Sequence, residues 1–407
     1  MIDIKHLREN PEEYKRSAKL RGVKVDIDKL LAADRQRSDV MREVEGLRSK
    51  LNVGGKPTPA ELKDLQNVKE QLEQKAADFG KLDGQYHDLI KQAPNLLAED
   101  TPEGGEESNK EERAWGKAKP AKVAGHASWL QEHDLIDFER GAKVAGAKFY
   151  YLKGAAVKLE MAIKRLGLEA AEAAGFLPMD VPHLVNGRIA DGTGFNPQGP
   201  EQQIYSVEGE DLHLVATAEM PLTGYHADEI LDPKQLPALY VGWSPSYRRE
   251  AGSYGKHSKG LFRVHQFNKL ELYVFCAPEQ SDEWLQKLVK LEEDICRQLE
   301  IPYRVTRTAA GDMGAPHYQK YDVEYWSPAE GEYRELTSAA NCTDYQARRL
   351  DIRTRNNKGS TIHVHTLNAT AAAISRVLIA LVENHQTPDG KVKIPKALRE
   401  YYGSDYL

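Results

Sequence analysis

Two stretches of three-and-four apolar spacing, separated by NVGGKPTP at Asn52–Pro59, limit what the N-terminal region can fold into. From about Asp26, the residues Val40, Val44, Leu47 and Leu51 fall on one helical face. Beyond the break, Leu65, Val68, Leu72, Phe79, Leu82, Tyr86 and Leu89 continue the spacing, interrupted only by Lys75. This pattern predicts two helices with narrow apolar seams. Glycines and prolines crowd the break, and a continuous helix does not tolerate them. The chain must turn back there, closing the seams on each other as an antiparallel coiled-coil hairpin. Its second helix, about 33 residues, would be roughly 50 Å long. Ahead of the hairpin, Asn10-Pro11-Glu12-Glu13 reads as the start of a short helix that Gly22 ends.

The first long helix carries Arg35, Arg37, Arg42 and Arg48. Charge alone leaves two readings of that stripe open, a solvated coiled-coil surface or a contact with RNA phosphates. A net charge of -6 excludes a chain that attracts polyanions over its whole surface.

From Ala93 to Lys122 the sequence is rich in Pro, Gly and charge and has no sustained period. We therefore expect a linker at 101–125, between a helical arm at 1–100 and a core domain at 126–407. In the core, helices are expected at about 128–145 and 154–174, followed by β-branched and aromatic runs at hairpin spacing and a last helix at about 368–386. Hairpin-connected strands imply a mostly antiparallel sheet flanked by helices, an α+β fold.

The charged N-terminus lacks the apolar core of a secretory signal, and no apolar run is long enough to span a bilayer. The expectation is a cytoplasmic protein without membrane contact. Cys276, Cys296 and Cys342 lie far apart and form no C-x-x-C pair, so buried free thiols are expected, not a disulfide framework or a zinc site. Neither glycine-rich phosphate-loop pattern is present. A bound phosphate would have to be held by arginines.

Arginines converge in one hairpin. Strand alternation through Tyr247–Glu250 puts Arg248 and Glu250 on one face and Arg249 on the other. The return strand, RVHQFNKLE, puts Arg263, His265, Phe267, Lys269 and Glu271 on one face. Each unpaired charge buried on a core face would cost several kcal/mol. Such a face suits the floor under a charged ligand.

With those residues stand TAEMPLT (Thr217–Thr223), GDMG (Gly311–Gly314), RELTSAANCTDYQARRLDIR (Arg334–Arg353) and TLNATAAAISRVLIALVENHQ (Thr366–Gln386). Together, in this order and behind a helical arm, they resemble the seryl-tRNA synthetases, of class II architecture. The resemblance implies a class II antiparallel sheet flanked by helices, and activation of L-serine by ATP to seryl-adenylate. Serine then passes to the 3′ end of tRNA(Ser), and the family implies tRNA(Sec) as well.

The resemblance also implies a site. Arg248 would bridge the serine carboxylate and the α-phosphate, and Arg376 would cover adenine and meet the γ-phosphate; these are the two catalytic candidates. Thr217, Ala218, Glu219, Glu271, Asn368 and Thr370, with Arg248, would bind serine. Arg249, Glu250, Val264, Phe267, Glu335, Leu336, Thr337 and Ser338, with both arginines, would bind ATP, and Glu335 and Ser338 would hold Mg²⁺. No zinc is expected. Arg35, Arg42, Lys256 and Lys259 are implied tRNA contacts, and His257 sits among the last two. A homodimer is implied through the helix before GFLPMDVPHLV (Gly175–Val185). The chain departs from the family at NATAAAISR, where many members have Gly-Ser-Gly, at Asn268, and in TGFNPQG (Thr193–Gly199). A ligase delivering an amino acid to a carrier protein would lack the arm and carry cysteine-held zinc. A silent RNA-binding paralogue would have lost Arg248, Glu335 or Arg376. A coiled-coil adaptor would account for the arm alone.

Overall fold

The computed structural model describes residues 1–52, 58–118, 122–195, 204–250 and 260–407. They divide into two compact units, Met1–Leu96 and Leu97–Leu407.

The first unit contains α1 (Ile4–Glu9), α2 (Pro11–Leu20), α3 (Ile27–Leu51) and α4 (Pro59–Gln92). Pro11 opens α2 with Glu12 and Glu13 in its first turn, and Gly22 follows it at φ 68°. Asp26 caps α3 by accepting from the Lys29 N–H. Helices α3 and α4 run antiparallel, since Arg37 pairs with Asp83 at 2.5 Å and Glu43 with Lys75 at 2.5 Å. Lys75, the gap in the apolar seam, is thus bridged to the opposite helix. Arg37 lies over Phe79 and Tyr86, 5.6 and 4.9 Å from the ring centroids. It serves the hairpin itself, whereas Arg35 and Arg42 are exposed. Of the stretch expected to turn, Asn52–Pro59, residues 53–57 lie outside the described residues.

The second unit is built on an eight-stranded sheet: β1 (Lys110–Trp115), β2 (Leu177–Asp180), β3 (Ala238–Tyr247), β4 (Gln266–Cys276), β5 (Tyr303–Arg307), β6 (Gln319–Ser327), β7 (Glu332–Asn341) and β8 (His365–Ala373). Their order is β1-β5-β6-β7-β8-β4-β3-β2. Neighbours are antiparallel except β2 and β3. Helices α5 (Ala155–Ala173), α7 (Ser281–Gln298) and α9 (Ile374–Asn384) pack on one face, where Leu159, Leu285 and Leu378 join Leu270, Leu272 and Val274 in the main core. On the other face Tyr273 and Phe275 pack with α6 (Glu219–Gly224) and α8 (Tyr345–Leu350) through Leu222, Ala347 and Leu350. Alternation along β4 therefore sends Leu270 and Leu272 into the main core and Lys269, Glu271 and Tyr273 to the opposite face.

Several expectations are corrected. The stretch expected as a linker, 101–125, contains strand β1, which pairs with β5 at the sheet edge. Its all-exposed pattern hides the alternation that would have announced it. The helix expected at 128–145 is two, His126–Glu132 and Phe138–Ala145. Asp134 at φ 57° breaks them, and Ile136–Asp137 pairs with Tyr151–Leu152 between. Residues 368–373, expected as helix, are strand, because this small-residue run sits between β4 and β7 and packing overrides alanine's helix preference. Strand β3 stops at Tyr247, and Glu250 has φ 48°. Arg263 and His265 precede β4, so they do not share its alternation. The three cysteines are free and buried. Among the described residues no helix is long and apolar enough to cross a membrane.

Candidate active site

The sheet forks on the face that carries Lys269 and Glu271. Strands β7 and β8 pair only through Ala339–Ala369, Ala340–Asn368 and Asn341–Leu367, and the pairing stops where Thr370 begins. Beside the fork lies a partly enclosed cavity. Arg248, Glu250, Val264, Phe267, Leu336, Thr337, Thr370 and Arg376 line it together with Glu335 and Ser338. Two β-bulges set this lining. One leaves Leu336 unpaired between Glu335 and Thr337, so Leu336 turns into the core while Glu335 and Ser338 both reach the cavity. The other lies between Thr370 and Ala372, so Thr370 and Ala373 face the cavity while Ala371 and Ala372 stay in the core.

The cations are held in place. The Arg248 Nε–H donates to the Ala216 carbonyl at 3.3 Å, and its guanidinium lies 5.3 Å from the Phe267 centroid. Arg376 pairs with the Glu335 carboxylate at 3.0 Å, donates to the Glu335 carbonyl at 3.2 Å, and lies 4.8 Å from the Phe262 centroid. Burial, and then the nearness of Arg376, lower the pKa of Arg248. Two guanidinium groups held together in a partly enclosed cavity form a receptor for a polyanion. Burial would raise Glu335, but Arg376, Lys320 and Arg248 outweigh it and bring the carboxyl down to about 2. Glu250 accepts from Arg263 at 3.2 Å.

Behind the cavity lies a buried acid cluster. Glu271, 1% exposed, accepts from the Thr217 hydroxyl at 3.0 Å and forms an ion pair with Lys269. Lys269 also donates to Thr217 at 3.3 Å. Glu219, at the start of α6, accepts from Gln346 at 2.7 Å and from Asn368 at 3.1 Å, both on Oε1. Burial first, and then the Glu271 charge, push its carboxyl up to about 7. Two buried carboxyls with few counter-charges suit a small cationic group, such as an amine, beside hydroxyl donors.

The structure thus brings together Arg248, Arg376, Glu250, Val264, Phe267, Glu335, Ser338 and Thr370 around one cavity, with Thr217, Glu219, Glu271 and Asn368 in the adjoining cluster. Thr370 pairs with Glu271 across the β8–β4 ladder and joins the two. Three residues contribute differently. Arg249 is exposed and is not among the lining residues, because the chain leaves the strand before it. The side chains of Ala218 and Leu336 pack into apolar clusters. Lys256, His257, Lys259 and the 196–203 segment lie outside the described residues.

Sequence reasoning missed Gln346 as a site residue, and placed Lys269 on the ligand-facing side of its strand without assigning it a contact. Gln346 is fully buried: its amide donates to Glu219 and to the Thr193 carbonyl, and its oxygen accepts from Tyr273 and Thr366. No local spacing signals a contact spanning that many residues. Among the described residues no cluster of His, Cys, Asp and Glu could hold a metal alone.

Comparison with known proteins decides what this site belongs to. The seryl-tRNA synthetase N-terminal domain model matches residues 1–97, and the tRNA synthetase class II core domain model (G, H, P, S and T) matches 204–385. The serine--tRNA ligase of Dictyoglomus turgidum is 45% identical, covering 99% of this chain and 98% of that one. That of Treponema denticola is 43% identical over the whole of both chains. The chain belongs to the seryl-tRNA synthetases. A solved seryl-tRNA synthetase from Pyrococcus horikoshii, complexed with ATP, superposes with TM-score 0.92 at 38% identity, covering 100% of this chain and 99% of that one. The Naegleria fowleri serine-tRNA ligase, in complex with AMP, gives 0.86 at 29%, covering 98% and 95%. This synthetase therefore has the class II fold and the ligase activity expected from its motifs, with ATP as a substrate. The cavity at the fork lies wholly within the segment matched by the class II core model.

Proposed function

We propose that the fork cavity binds ATP and the adjoining acid cluster binds serine, with Arg248 at their junction. A serine carboxylate oxygen attacks the α-phosphorus. The new O–P bond forms as the bond to the β-phosphate oxygen breaks, giving seryl-adenylate and pyrophosphate. The terminal ribose hydroxyl of tRNA then attacks the seryl carbonyl, and AMP leaves. No side chain need become covalently attached, so the protein contributes by positioning and by fixed charge. Arg248 offsets the repulsion between serine carboxylate and phosphate, and Arg376 takes charge farther along the triphosphate. Glu219 and Glu271 receive the ammonium, and Thr370 meets the hydroxyl. An analogue without a hydroxyl would leave buried polar atoms unpaired. Val264 and Glu250 meet the adenine edge, and Phe267 its face. The observation that carries this reading is the shared cavity: Arg248, from the β3–β4 connection, and Arg376, from α9, line it together with Thr370.

Glu335 and Ser338 offer only oxygen donors on one face, and Glu335 stays ionised. That set fits Mg²⁺, which takes few protein ligands and completes its shell with phosphate oxygens and water. When bound, the ion would neutralise phosphate charge. Arg35 and Arg42, exposed on α3, are the proposed tRNA contacts of the first unit, with tRNA(Ser) and tRNA(Sec) as acceptors. A two-fold dimer is supported by edge strand β2 and by exposed Leu177 and Met161. We place the enzyme in the cytoplasm. The test is charging of tRNA(Ser) with labelled serine, threonine, alanine or glycine: serine alone should give aminoacyl-tRNA and AMP, and charging by another amino acid would refute the pocket assignment.

A further inference from the structure

Glu292 is a carboxyl in a place where a carboxyl is costly. It lies on α7 at 1% exposure, among the main-core residues Leu288, Val289, Ile295 and Cys296 of the same helix. Its Oε1 accepts the backbone N–H of Thr370 at 3.0 Å, while Oε2 has no hydrogen-bond partner among the described residues. Burial holds this carboxyl well above the usual carboxylate range, which favours its neutral form. An apolar residue of similar size would fill the space without leaving a polar atom bare. The carboxyl therefore has work at its one bonded oxygen.

That work is at the fork. The last β7–β8 pair is Ala339 with Ala369, and the next residue along β8 is Thr370. Thr370 still pairs with Glu271 on β4, and the bulge follows at once. At this residue the strand that would otherwise receive the amide diverges to open the cavity. Glu292 supplies the acceptor from the layer behind the sheet, standing in for β7. An unpartnered buried amide would otherwise draw the strands together or let β8 shift register, and a one-residue shift would turn Thr370 away from the pocket.

We infer that Glu292 is a positioning residue for amino-acid selection: from the helix layer it fixes the Thr370 backbone at the mouth of the fork and so sets where the Thr370 hydroxyl meets the serine side chain. This rests on the reading of Thr370 as a serine contact.

The experiment is amino-acid-dependent pyrophosphate exchange on the full chain. Glu292→Gln keeps an acceptor oxygen in place. Glu292→Met removes it, and Glu292→Asp keeps the acid but withdraws it by one methylene, serving where the Met variant does not fold. Leaving one buried amide unsatisfied predicts a rise of about tenfold in serine KM for Met and Asp, with the serine-over-alanine preference falling alongside. The KM for ATP should stay within about threefold and the Gln variant near wild type on the same scale. A folded Met or Asp variant with unchanged serine KM, or one whose ATP KM rises as much as its serine KM, overturns the inference. So does a Gln variant as poor as Met. Thr370→Val separates the two levels: if it leaves serine preference intact, the pocket reading has failed, whereas if it lowers preference while the Glu292 variants do not, only the role of Glu292 has failed.

Discussion

Glu335 and Ser338, three residues apart on β7, line the same cavity because Leu336 between them is bulged out of the ladder and buried in the core. Regular alternation would send them to opposite faces of the sheet. The bulge makes a pair of oxygen donors out of a sequence that does not announce one.

Glu335→Gln therefore removes a fixed negative charge from that pair. We expect serine-dependent pyrophosphate exchange to fall by about 10² and the Mg²⁺ concentration for half-maximal rate to rise. A Mg²⁺ titration checks this, and wild-type midpoints in the variant would exclude Glu335 as a ligand. The Glu335 pKa is lowered to about 2. Its stabilising contribution is thus present above the ordinary glutamate range and lost only as pH falls toward about 2, so it predicts no activity change near neutrality.

Glu219 behaves in the opposite sense. Burial and Glu271 raise it to about 7. Serine's ammonium requires the ionised form, so serine KM should be flat well above about pH 7 and climb toward tenfold per unit well below it. Glu219→Gln should weaken binding and flatten the slope. The group's contribution to folding has its own sign: it is fully present below the unfolded glutamate pKa and lost as pH rises through about 7. A pH series of serine KM, with ATP saturating, checks the first point, and a slope unchanged in the variant would contradict it.

Exposed Arg35 and Arg42 lie on α3, in the unit that does not contain the cavity. Reversing both charges, Arg35→Glu with Arg42→Glu, should lower tRNA charging about tenfold or more and reduce its salt dependence, while pyrophosphate exchange is untouched. Charging at the wild-type rate would return these arginines to the role of solvated surface.

The helical hairpin was legible because a seam repeats over many turns and the glycines and prolines at Asn52–Pro59 admit no other continuation. The sheet was legible in kind but not in its ends. Residues 368–373 combine small side chains that suit a helix, and only their place between β4 and β7 makes them strand. The motif residues of the site were legible through resemblance. Gln346 and Glu292 were not, since each acts on a partner brought to it by the fold: Gln346 on Glu219 and Glu292 on the Thr370 backbone; for Lys269 alternation gave the face but not the contact with Thr217. A bulge is likewise invisible to alternation, because one extra residue reverses every face after it.

The central claim is that Arg248 and Arg376 address one nucleotide beside one serine pocket. Its most direct test is serine-dependent pyrophosphate exchange by wild type, Arg248→Ala and Arg376→Ala. We expect wild type to exchange with serine in preference to threonine, alanine and glycine. Each alanine variant should lose on the order of 10² to 10³ in rate, Arg248→Ala more than Arg376→Ala. Full exchange in Arg248→Ala, or a wild-type preference for another of these amino acids, would contradict the account.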